Sequence, residues 1–122
     1  MKFAYLATFC FGCHAASLVD AIHQVETGGR LGAIYGDSKK SLGPLQIHYS
    51  CWKDAVEFDK SIGGKYENCA ELGYSKKIFN AYLRRYAKGG NNEKMARTWN
   101  GGPGGMKNKN TINYWKRVQK YL

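Results

Sequence analysis

The fold is decided by residues 17–47, which read SLVDAIHQVETGGRLGAIYGDSKKSLGPLQI. The first part is apolar at the spacing of one helix face, at Leu18, Ala21, Ile22 and Val25. Ser17 followed by Asp20 is typical of a helix N-terminus, and Thr27-Gly28-Gly29 is typical of a helix end. From residue 30 to residue 47 the apolar pieces are short and are separated by glycines. This change predicts a small β-hairpin or loop layer directly after the first helix.

The remainder of the chain predicts helices and no long linker. The strongest pattern opens at Ser75, where apolar residues recur at helical spacing as far as Tyr86 before Gly89-Gly90. Weaker patterns predict helices over about 50–58, over 92–99, and from about residue 111 to the end. The expected class is α+β, mostly helical, in a single domain.

Composition narrows the kind of partner. The 122 residues are 43% hydrophobic and carry a formal charge of +10, so the chain can bury a core and favours an anionic partner. The basic residues are scattered and form no zinc finger, RNP-like run or recognition-helix pattern. We therefore expect no specific nucleic acid, and an anionic bacterial surface or membrane remains.

The N-terminus resembles a secretory leader. Lys2 precedes about nine largely apolar residues and a small-residue exit, and the stretch is too short to span a bilayer. The pattern predicts a signal peptide over residues 1–17, cleaved between Ala15 and Leu18, and hence a secreted protein. A buried first element of the mature fold is the alternative.

The predicted cleavage determines which of the four cysteines remain in the mature protein. Removing the leader removes Cys10 and Cys13 and leaves Cys51 with Cys69, which in an exported domain would form one disulfide. The cysteines and the three histidines lack the paired spacing of a zinc site, so no metal is expected.

Two carboxyl groups stand in contrasting surroundings. Glu26 lies in the last turn of the first helix beside Val25, where the helix dipole and apolar neighbours favour the protonated form. Asp37 lies in a polar, cationic turn that would hold it ionised. One protonated and one ionised carboxyl is the requirement for glycoside hydrolysis. The alternatives are a surface glutamate at a frayed helix end and an ordinary turn aspartate.

Ordered motifs from about residue 18 to residue 120 resemble the invertebrate-type (destabilase) lysozymes. They are Gln24-Val25-Glu26-Thr27-Gly28, Gly36-Asp37, Ser41-Leu42-Gly43-Pro44-Leu45-Gln46-Ile47, Trp52-Lys53-Asp54, Tyr82-Leu83-Arg84-Arg85-Tyr86-Ala87, Asn100-Gly101-Gly102-Pro103 and Tyr114-Trp115.

The resemblance implies a lysozyme-like α+β domain over residues 18–122 that is secreted and bacteriolytic. It would cleave the β-1,4 bond between N-acetylmuramic acid and N-acetylglucosamine in peptidoglycan. Glu26 would be the general acid, and Asp37 the nucleophile or oxocarbenium stabiliser. No cofactor is implied, and we expect a monomer.

Three features depart from the family pattern. The chain has few cysteines where the family is rich in disulfides, and His48 stands where destabilases carry lysine after Gln-Ile. That difference puts the family's isopeptidase side activity in doubt. Trp99 replaces the usual histidine before Asn-Gly-Gly-Pro.

Polar donors and aromatic faces are the groups that bind sugars. The predicted substrate-binding residues are Ser41, Gln46, Tyr49, Trp99, Asn100 and Gly101. Tyr35 and Tyr114 are further aromatic candidates, although core packing explains any one of these rings equally well.

Two other functions remain open. The chain could be a cationic wall- or membrane-active antimicrobial protein without catalysis, or a lytic-transglycosylase-like enzyme that uses Glu26 alone.

Overall fold

The computed structural model describes residues 17–122, so the predicted leader lies outside the described residues except for Ser17. The helices are α1 (Leu18–Thr27), α2 (Tyr49–Phe58), α3 (Leu72–Tyr86), α4 (Asn92–Gly101) and α5 (Asn110–Gln119). Three short strands, β1 (Tyr35–Gly36), β2 (Ser41–Leu42) and β3 (Ile47–His48), lie between α1 and α2. Two 3₁₀ helices cover Tyr66–Ala70 and Gly105–Lys107. The predicted α+β class, with a small β layer after the first helix, is confirmed.

Both ends of α1 are capped by the residues that the sequence indicates. The Ser17 hydroxyl accepts a hydrogen bond from the backbone N–H of Asp20 at 3.2 Å. At the other end, Gly28 adopts a left-handed conformation with φ of 67°, and its N–H donates to the Gln24 carbonyl. Glu26 is therefore held in the last turn of a well-defined helix.

The sheet is antiparallel, with β2 in the centre. Tyr35 pairs with Leu42, and Ser41 pairs with His48. Gly43 directly follows β2 with φ of 84°, and a Cβ built there would lie 1.8 Å from the Cys69 carbonyl oxygen. Only glycine allows this close approach, which packs the sheet against the 3₁₀ helix over Tyr66–Ala70.

The core lies between the helices and the inner face of the sheet. α2 packs on α3, α4 packs on α5, and α1 contacts both α4 and α5. The larger side chains that are fully buried in this core include Ile22, Leu42, Leu45, Ile47, Ile78 and Val118. No helix within residues 17–122 has the length and apolarity to cross a membrane.

Several predicted boundaries are wrong. α3 begins at Leu72 rather than at Ser75. Ser75 is buried, and its hydroxyl donates to the Cys69 carbonyl at 2.8 Å, so it links α3 to the preceding 3₁₀ helix instead of starting α3. α4 continues to Gly101, and α5 ends at Gln119.

The predicted disulfide is not formed in this structure. Cys51, which is half-buried, and Cys69, which is buried, are both free thiols. Burial raises the pKa of both thiols, that of Cys69 to about 12.

Candidate active site

A cleft of about 420 Å³ opens between the sheet and helices α1, α2, α3 and α4. Glu26 and Asp37, the two predicted catalytic carboxyls, both line it. The other lining residues are Ser41, Gln46, Ile47, His48, Ser50, Cys51, Tyr82, Trp99, Asn100 and Gly102. The structure thus brings the end of α1, the turn after β1 and the end of α4 to one place.

Glu26 is half-buried and held by a tyrosine from the far end of the chain. The Tyr114 hydroxyl on α5 donates to Oε2 of Glu26 at 2.8 Å, and Tyr114 is only 3% exposed. Burial raises the pKa of Glu26 to about 6, while the Tyr114 hydrogen bond and the charge of Arg117 act in the opposite direction. A carboxyl with this pKa can donate a proton in weakly acidic solution.

The backbone that carries Glu26 is tied to the loop between β2 and β3. The buried hydroxyl of Thr27 lies 2.9 Å from the Pro44 carbonyl, to which it donates. His23 Nε2 lies 2.7 Å from the Arg30 carbonyl, as expected for a hydrogen bond in which the ring donates. These contacts fix the end of α1 against the sheet and keep Glu26 at the cleft.

Asp37 lies in a turn of unusual backbone conformation. Asp37, Ser38 and Lys39 all have left-handed φ angles, at 53°, 56° and 68°. The Asp37 side chain is 62% exposed, and its Oδ2 lies 3.3 Å from Nε2 of His48 on β3. The side chain that it contacts is thus a histidine across the sheet and not a lysine of its own turn. One carboxyl of the cleft is sheltered, and the other is solvated.

Four of the six predicted substrate-binding residues line the cleft: Ser41, Gln46, Trp99 and Asn100. Tyr49 and Gly101 lie outside it. Tyr49 begins α2 and packs against the Trp52 ring, with centroids 5.3 Å apart. Gly101 ends α4, and a Cβ there would lie 2.6 Å from the Thr111 methyl group, so this residue faces α5.

Gln46 and Trp99 are held in place by their neighbours. Nε2 of Gln46 donates to the carbonyls of Ile34 and Gly43 at 3.0 and 2.9 Å, and its side-chain oxygen lies close against Gly36. The Trp99 ring packs edge-on against Phe79 and Tyr82, with centroid distances of 4.9 and 5.8 Å. One amide group and one aromatic ring of the cleft wall are therefore held in fixed positions.

The predicted catalytic and substrate-binding residues leave out six residues that line the cleft: Ile47, Ser50, Cys51, His48, Gly102 and Tyr82. Ile47, Ser50 and Cys51 could have been predicted, because they directly follow the predicted residues Gln46 and Tyr49 in the sequence. Tyr82 belongs to the apolar stripe of α3 and is 6% exposed, so its pattern is that of a core residue. Within residues 17–122, no group of three or more His, Cys, Asp or Glu side chains could hold a metal ion.

Comparisons with known proteins identify a family and several relatives of this chain. A sequence model of the Destabilase family matches residues 10–121. Lysozyme 1 of Crassostrea virginica is 36% identical over 92% of this chain, although the chain spans only 62% of that protein. A lysozyme of Meretrix lusoria is 32% identical, over 92% of this chain and 93% of that protein.

Solved structures show the same fold. A chain in the crystal structure of Aeromonas hydrophila PliI in complex with Meretrix lusoria lysozyme superposes with a TM-score of 0.72 at 33% identity. That alignment covers 84% of this chain and 86% of the other. Tapes japonica lysozyme superposes with a TM-score of 0.71 at 28% identity, covering 88% of this chain and 94% of that one. The chain belongs to the destabilase family of invertebrate-type lysozymes, and the family resemblance seen in its sequence is confirmed.

Proposed function

We propose that this protein is a muramidase that hydrolyses the β-1,4 bond between N-acetylmuramic acid and N-acetylglucosamine in peptidoglycan. One observation carries the proposal: Glu26, with its pKa raised to about 6 by burial, lines the same cleft as the solvated Asp37. The relatives that are named lysozymes support the same class of reaction.

Glu26 is the general acid. In its protonated form it gives its proton to the glycosidic oxygen of the leaving sugar, and the Tyr114 hydroxyl stabilises the carboxylate that remains. Its pKa of about 6 keeps much of the group protonated in the weakly acidic range, where an ordinary surface glutamate is ionised.

Asp37 acts on the anomeric carbon, as a nucleophile or by stabilising an oxocarbenium-like transition state. Its side chain is exposed to solvent and lies beside His48 at the cleft, where a bound sugar could reach it. Ser41, Gln46, Trp99 and Asn100 would bind the sugar rings on either side of the scissile bond. The net charge of +10 would favour encounters with an anionic cell wall.

The test is mass spectrometry of the soluble fragments released from purified peptidoglycan. We expect wild-type protein to release fragments with reducing muramic acid ends, and Glu26→Gln to release none. Glu67→Gln is the matched control because it makes the same change of side chain and of net charge at an exposed position. Asp37→Asn should lose most of the activity, with the exposed Asp20→Asn as its control.

Other results would contradict the proposal in specific ways. Anhydro-muramic ends with an active Asp37→Asn variant would indicate a transglycosylase that uses Glu26 alone. Bacterial killing by Glu26→Gln equal to that by Glu67→Gln, without fragments, would indicate a cationic antimicrobial protein without catalysis.

We also propose that the protein acts outside the cell as a monomer, after removal of residues 1–17. N-terminal sequencing of the secreted protein should find a start between Ala15 and Leu18. An intact Met1 would contradict the predicted cleavage.

A further inference from the structure

An aromatic cluster lies on the surface beside the cleft. The Tyr49 ring lies 5.3 Å from Trp52 and 5.5 Å from Tyr66, and the rings of Trp52 and Tyr66 are 6.1 Å apart. Trp52 and Tyr66 are half-buried against the core, but Tyr49 is 54% exposed. Because more than half of Tyr49 remains in solvent, burial in the core does not account for its position.

The inner members of this cluster are fixed by hydrogen bonds. Nε1 of Trp52 donates to the Tyr74 hydroxyl at 2.8 Å, and the Tyr66 hydroxyl donates to the Ile47 carbonyl at 2.6 Å. Burial raises the pKa of Tyr66 to about 12, so this hydroxyl stays protonated as a donor. Tyr49 therefore rests on two rings that are already in place, and a ligand that stacks on it pays little conformational entropy.

The cluster is continuous with the cleft. Ile47, to which Tyr66 is bonded, and His48, which directly precedes Tyr49, both line the cleft. On β1, at the other edge of the sheet, Tyr35 is 58% exposed and lies in register with Leu42 and Ile47, the residue to which Tyr66 is bonded. We call Tyr35, Tyr49 and Tyr66 the tyrosine platform.

A glycan strand is a polymer, and a cleft of about 420 Å³ encloses only a short part of it. The rest of the strand must pass over the surface at one end of the cleft or the other. Exposed tyrosines are suited to this because the ring offers an apolar face and the hydroxyl remains free for a sugar hydroxyl.

We propose that the tyrosine platform is an outer subsite, which stacks an amino-sugar ring of a glycan strand as it leaves the cleft past His48. The inference rests on the proposed function, since it takes the cleft as the place where the strand is cut.

The experiment measures binding of N-acetylglucosamine oligomers to the Glu26→Gln protein by calorimetry, so that no cleavage is needed. In this background, adding Tyr49→Ala should weaken binding of the hexamer about tenfold, in keeping with the loss of one stacking ring. Binding of the disaccharide should not change. Tyr49→Phe, which retains the ring, should restore most of the affinity for the hexamer.

Tyr121→Ala is the matched control, because Tyr121 is 47% exposed and lies at the far C-terminus. Tyr35→Ala, from the separate strand β1, provides a second variant if Tyr49→Ala disturbs the packing of Trp52. Its effect on the hexamer should also exceed its effect on the disaccharide.

Two outcomes would overturn the inference: hexamer affinity unchanged in both alanine variants, or equal losses for hexamer and disaccharide. The two proposals fail separately in this design. If wild-type protein releases no fragments but hexamer binding still depends on Tyr49, the cleavage proposal fails and the platform stands. If fragments appear and neither tyrosine affects binding, only the platform fails.

Discussion

Replacing Glu26 with glutamine should make the protein more stable at neutral pH even as it abolishes cleavage. The carboxylate form of Glu26 is penalised by burial, which is what raises its pKa to about 6. Glutamine is neutral and nearly the same size, and its side-chain oxygen can still accept the hydrogen bond from Tyr114. The substitution therefore removes the penalty and keeps the contact.

The magnitude follows from the pKa. A rise from the ordinary 4.5 to about 6 in the folded protein corresponds to about 2 kcal/mol, at about 1.36 kcal/mol for each pH unit. Because the folded protein binds this proton more tightly than the unfolded chain, the stabilisation is complete below pH 4.5 and is lost as pH rises through about 6. Above that range, wild type should be less stable than Glu26→Gln by up to about 2 kcal/mol, or an unfolding temperature lower by roughly 8 °C or more.

The assay is urea unfolding of wild type, Glu26→Gln and the exposed control Glu67→Gln at pH 4, 6 and 8. The free energy of unfolding of Glu26→Gln relative to wild type should be near zero at pH 4 and greatest at pH 8. Glu67→Gln should show no comparable trend. If Glu26→Gln is no more stable than wild type at pH 8, the carboxylate is not destabilised by burial, and the argument for Glu26 as a raised-pKa acid fails.

Three further substitutions test other parts of the structure. Tyr114→Phe removes a hydrogen bond that lowers the pKa of Glu26, so the alkaline limb of the pH–activity profile should move to higher pH; an unmoved limb would contradict this role. Gly43→Ala should lower the free energy of unfolding by about 3 kcal/mol or more, because its Cβ would collide with the Cys69 carbonyl; near-normal urea stability would show that the sheet can shift. Arg97→Met should lower the free energy of unfolding by about 2–3 kcal/mol in the same assay, because this buried guanidinium donates hydrogen bonds to three partners. A smaller loss would mean that water satisfies the three acceptors in the variant.

The parts of the fold that were predictable from sequence depend on local rules. α1 was predicted from Ser17, from its apolar stripe and from Gly28: the two caps act through contacts within four residues, and the stripe is visible in the spacing of one segment. The position of the β layer followed from the change in apolar spacing after Gly29. Glu26 and Asp37 were chosen from these two elements together with the family motifs that contain them.

The parts that were not predictable depend on contacts between distant residues. Tyr114 bonds to Glu26 across 88 positions of sequence, and nothing in the local pattern of α5 distinguishes that hydroxyl from any other. Serine is a residue type that often begins helices, yet Ser75 lies inside α3, where its hydroxyl donates to the Cys69 carbonyl. Tyr49 was expected in the cleft, but the first turn of α2 directs its ring onto Trp52.

The type of acid at each of the two proposed catalytic positions fits the backbone that carries it. At residue 37 the chain turns with a left-handed φ of 53°, a conformation that aspartate tolerates better than most residues because its short side chain can bond locally. Aspartate is thus the side chain that combines a carboxylate with this turn. Residue 26 lies within a helix, where glutamate is the better helix former and its longer side chain reaches Tyr114. Exchanging the two acid types would keep both charges, but it would strain the turn and shorten the reach to Tyr114.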